Sequence, residues 1–60
     1  MIKINNLPVN FTKYPYIVAR RADGELWYWG SFKSRTNANE AALSVNGITY
    51  QTEEVERGEF

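Results

Sequence analysis

Tyr14 to Phe32 reads YPYIVARRADGELWYWGSF, and this stretch decides the fold. Two runs rich in aromatic and β-branched residues flank Asp23-Gly24. That dipeptide suits a two-residue type I′ turn, which needs positive φ at both central positions. Counting back from the turn sets a register: Arg21 faces Leu26, Arg20 faces Trp27, Ala19 faces Tyr28, Val18 faces Trp29 and Ile17 faces Gly30. Alternation then divides the side chains between two faces. Tyr16, Val18, Arg20, Trp27 and Trp29 share one; Ile17, Ala19, Arg21, Leu26, Tyr28, Gly30 and Phe32 share the other. Both faces are largely apolar.

The whole chain limits what this hairpin can belong to. Its 60 residues make a single domain near the lower size limit for unaided folding. A chain of that length buries only about 60% of the surface its unfolded form exposes. Net stability of ~3–9 kcal/mol follows from the usual per-residue range. No Cys is present to staple the core or bind metal, and no His to act as ligand or general base. Two Trp, four Tyr and three Phe compensate, because large rings bury much area per residue.

Seven basic and seven acidic residues give a formal net charge of zero, so no overall field draws the chain to nucleic acid or membrane. Arg20, Arg21, Lys33 and Arg35 lie mid-chain, whereas Glu53, Glu54, Glu56 and Glu59 crowd the C-terminal end. The start, MIKINN, lacks the apolar core of a signal peptide. No apolar run reaches the ~20 residues of a membrane span. A cytoplasmic protein of bacterial or viral type is expected.

Met1 to Asn5 alternates as a short strand, with Ile2 and Ile4 on one side. Asn6 to Lys13, interrupted by Pro8, reads as loop, and Pro15 holds Tyr14 extended at the hairpin's start. After Phe32 the polar run KSRTNANE gives way to AALSV. Asn37 as cap and Glu40 three residues on predict a helix of about two turns, its apolar stripe being Ala38, Ala41, Ala42 and Val45. Gly47 suits the left-handed position after the helix. A stripe of alanines lets the helix lie close to large side chains, which places it on the Tyr28 face, beside Leu26 and Phe32. Leu43 falls off the stripe and is either an exposed anchor or covered by a loop. Ile48 to Val55 reads as the last strand, and residues 56–60 as a frayed tail. The predicted class is α+β, ordered β-ββ-α-β: an antiparallel sheet of three to four strands with one short helix on one face.

No catalytic constellation emerges. Ser31, Ser34 and Ser44 have no base nearby in sequence, and Glu53, Glu54 and Glu56 read as solubilising charge. No enzyme activity, cofactor or metal is expected. With the helix on the Tyr28 face, Tyr16, Arg20, Trp27 and Trp29 form a cross-strand cluster on the other side. Trp, Tyr and Arg are the types enriched in interaction hot spots, and an Arg beside indoles can stack on them. At least one indole is expected to serve the core, and the pair together to serve binding. A protein partner or a second copy of the chain, as a homodimer or structural subunit, is the leading expectation. The alternative is nucleic acid, bases stacking on the indoles while Arg20, Arg21, Lys33 and Arg35 meet phosphates. Zero net charge weighs against it.

Gly30-Ser31-Phe32, followed by Asn37-Ala38 and then Gly47, resembles half of a SPOR domain, in which a strand ending in Gly-Ser-Phe leads into a helix and another strand. That likeness implies binding of denuded peptidoglycan glycans. Tyr28 to Phe32, followed by Glu40-Ala41-Ala42, is similar to the last strand and helix of the plant ethylene-response-type DNA-binding domain and its relatives in phage integrases. It implies DNA contact through the sheet, with Arg20 and Arg21 contributing. As a type, the chain looks most like the small accessory proteins of bacteriophages and prophages, some of which bind and alter a host protein.

Overall fold

Asp23 and Gly24 both take positive φ, 55° and 76°, and close the hairpin as a two-residue turn. The structure is a computed structural model and describes residues 1–60. Its elements are β1 (Ile2–Ile4), a 3-10 turn (Phe11–Lys13), β2 (Tyr16–Ala22), β3 (Glu25–Phe32), α1 (Arg35–Val45), β4 (Ile48–Gln51), a second 3-10 turn (Thr52–Glu54) and β5 (Val55–Arg57). One antiparallel sheet runs in the order β3-β2-β4, and β1 pairs with β5 in parallel. The chain is α+β, with one helix packed on the sheet.

The hairpin register holds from the turn as far as Ala19 opposite Tyr28, then slips. Val18 faces Gly30, Ile17 faces Ser31 and Tyr16 faces Phe32, so Trp29 is an extra residue with no partner on β2. One inserted residue reverses the parity of everything beyond it. Gly30 and Phe32, expected beside Tyr28, therefore lie on the Tyr16–Val18 face.

The helix follows them, and this corrects its predicted placement on the Tyr28 face. Ala38 and Ala42 pack on Val18, flanked by Tyr16 and Phe32. The alanine stripe does allow close approach, but to the opposite side of the hairpin. Ile17 and Ala19, on the Tyr28 side, are buried instead against Ile4, Leu7 and Val55. Each side of the hairpin thus has its own cover, which explains why both are apolar.

Further boundaries differ from the expectation. Ser34, not Asn37, caps the helix: its hydroxyl accepts from the Asn37 amide at 3.1 Å, and α1 runs 11 residues. Asn46, not Gly47, is left-handed (φ 56°) at its end. Gly47 has a different use, since a Cβ there would lie 2.8 Å from the Ala19 carbonyl and 3.0 Å from Val18 Cγ1. The predicted strand Ile48–Val55 breaks at Thr52–Glu54, where the Glu54 carboxylate accepts from the Gln51 amide at 3.1 Å. Residues 56–60 are held rather than frayed. Glu56 and Arg57 pair with β1, and the Gly58 amide donates to the Ile4 carbonyl at 2.9 Å.

Asn5 fastens this end of the molecule. It is buried, its backbone bridges β3 through the Leu26 carbonyl and the Tyr28 amide, and its Nδ2 donates to Glu25 Oε1 at 2.8 Å. Its Oδ1 accepts from the Phe60 amide at 3.3 Å, so the side chain is bonded at both ends. A buried amide satisfied in this way fixes geometry instead of costing stability.

Candidate interaction surface

The helix packs over β2 and β4 more than over β3. This leaves the β3 half of the Val18 face open, and two aromatic pairs lie on it. The rings of Trp29 and Phe32 stack with centroids 6.2 Å apart and planes 8° from parallel. Those of Trp27 and Phe60 stack at 6.0 Å and 18°. Both spacings fall in the range of favourable offset stacking.

The four residues expected at the site divide. Trp29 is 44% exposed, whereas Trp27 is half-buried and its indole Nε1 donates to the Ala22 carbonyl at 3.1 Å. Arg20 is exposed and sits directly across from Trp27. These three are brought together. Tyr16 lies at the far end of this face, directly across from Phe32; it is half-buried beside the helix, with the Arg35 guanidinium 5.1 Å above its ring. Four positions along a strand separate Tyr16 from Arg20, roughly 13 Å.

The basic residues considered for nucleic acid are spread over both faces. Arg20 and Arg21 are consecutive in β2 and point to opposite sides. Arg21 lines a polar concavity with Lys3, Arg57, Glu25 and Glu59. Lys33 lies 5.7 Å from the Tyr14 ring, and Arg35 covers Tyr16 at the far end of the sheet. Arg20 sits across from Trp27.

Phe32 and Phe60 belong to the surface but were not expected there. Counting from the turn puts Phe32 on the other face, because nothing in WYWGSF marks Trp29 as the extra residue except the glycine after it. Phe60 lay in the tail expected to fray, yet it is 64% exposed and stacked on Trp27. Its tether is the long-range pairing with Asn5 and Asn6. Leu43, on the outer side of α1, is 85% exposed, and no loop covers it.

No cluster of three or more His, Cys, Asp or Glu side chains is placed to hold a metal ion. No helix is long and apolar enough to cross a membrane. No family model matches the chain, and neither a curated protein nor a solved structure matches it.

Proposed function

We propose that the chain is a non-enzymatic binding protein, acting in the cytoplasm by contact with another protein through Trp29, Phe32, Trp27 and Arg20. The observation that carries this reading is Trp29 itself, 44% exposed on the half of the sheet face that the helix leaves open. An indole backed by a stacked phenyl ring is a rigid anchor, and it loses little conformational freedom on binding. Arg20, beside Trp27, supplies a charge that can be desolvated against a partner carboxylate or stacked on an indole. The likeness in type to phage and prophage accessory proteins agrees with a role in binding and altering a host protein.

The test is capture from bacterial lysate with the tagged chain, with and without nuclease. A protein retained after nuclease and lost with Trp29→Ala supports the reading. Recovery of nucleic acid alone, or of proteins that disappear with nuclease, replaces it with the nucleic-acid reading.

A further inference from the structure

β4 ends the β3-β2-β4 sheet with no neighbour on its outer side, and β5 likewise ends its parallel pair with β1. Natural proteins guard such edges with short strands, charge or proline. The β5 edge is guarded: it has three residues, two of them Glu56 and Arg57. The β4 edge, Ile48-Thr49-Tyr50-Gln51, has no charged residue or proline of its own, and the Glu54 carboxylate caps its Gln51 end, which leaves the backbone of Thr49 open. The groove between it and α1 is lined by Asn39, Ala42, Leu43, Asn46 and their neighbours in β4, with no charged side chain. Every other concavity on the molecule has charge in its lining.

We propose that β4 pairs antiparallel with β4 of a second copy of this chain, about a two-fold axis at Thr49. The register comes from the backbone. The Gln51 amide points away from β2, to Glu54, while the next amide, Thr52, turns back to the Pro15 carbonyl at 3.0 Å. Backbone groups alternate in direction along a strand, so the amide and carbonyl of Thr49 also point outward. Thr49 opposite its own copy exchanges two hydrogen bonds and sets Ile48 against Tyr50 of the second copy.

A second copy fits this edge for two reasons. An isologous interface joins the same patch of both copies, so charges near the two-fold would face their own kind, and this groove has none. The helices also meet. The two-fold places both on one face, and α1 packs over β2 and β4. With strands ~4.8 Å apart, the helix axes lie ~10–14 Å from each other. Packed helices sit at about 8–10 Å, and Leu43, 85% exposed, lines the α1–β4 groove that faces the second copy. The product is a continuous sheet, β3-β2-β4-β4-β2-β3, with an aromatic surface at each outer end of one face. Two copies of a partner site would then be engaged bivalently.

The edge is short, so self-association is tested by sedimentation from about 10 μM to about 1 mM, the range of weak interfaces. The expected result is a concentration-dependent rise from the monomer mass of 7.0 kDa to twice that value. Over the same range the Thr49 amide should gain protection from hydrogen exchange. Leu43→Lys puts a charge in the seam at a solvent-exposed helical position, and it should raise the dissociation constant at least ~10-fold. Trp29→Ala should leave self-association unchanged, which separates this interface from the aromatic one. A mass of 7.0 kDa throughout with Thr49 freely exchanging overturns the proposal. So does a dimer that tolerates Leu43→Lys but is lost with Trp29→Ala.

Discussion

Gly58→Ala tests how the two ends of the chain are locked together. A Cβ at Gly58 would overlap Asn5 Oδ1 and lie 3.1 Å from Asn5 Cγ and 3.2 Å from its backbone nitrogen. The Asn5 side chain is short and buried, and it is bonded at both ends, so it cannot yield freely. Displacing it sacrifices the 2.8 Å bond from Nδ2 to the Glu25 carboxylate and the 3.3 Å bond from the Phe60 amide. The first involves a charged acceptor, and the second is long. Together they are worth about 2–4 kcal/mol. That is a large part of the ~3–9 kcal/mol available to a chain of this size. Urea unfolding followed by tryptophan fluorescence measures the loss directly, since Trp27 reports on the Phe60 stack. In an Asn5→Ala background the same substitution should cost much less, because the obstructing atoms are gone. A loss below ~0.5 kcal/mol in the wild-type background would refute this account of the lock.

Two further substitutions test the helix and its seating. Ser34→Ala removes the cap that accepts from the Asn37 amide, and thermal unfolding should show a loss of about 1 kcal/mol. Gly47→Ala should cost about 1–3 kcal/mol by forcing the chain after the helix off the Ala19 carbonyl and Val18. An unchanged melting temperature would mean that the helix C-terminus is not held that closely.

The part of the fold that local chemistry determines was legible. Asp23-Gly24 specified the turn, and the turn specified the register as far as Ala19 and Tyr28. The helix was visible in its alanine stripe, but its first turn, Arg35-Thr36-Asn37, is polar and has no apolar period, so its start was placed too late. What was not legible depends on distant partners. The bulge at Trp29 flips Phe32, and with it the face that receives the helix. Val55 appeared to be the end of a strand, yet it opens a new one because Ile2 lies across from it. At the surface, the grouping of Arg20, Trp27 and Trp29 was readable from alternation. Phe60 was not, since its position rests on Asn5 and Asn6 at the other end of the chain.

The most direct test of the central claim compares two effects of Trp29→Ala: the change in dissociation constant for a nuclease-resistant partner and the change in unfolding free energy. An exposed anchor of hot-spot quality predicts binding weakened ~30-fold or more, about 2 kcal/mol, with a stability loss under ~1 kcal/mol. A variant that unfolds, or that binds as tightly as the wild type, would place Trp29 in the core or outside the interface and contradict the claim.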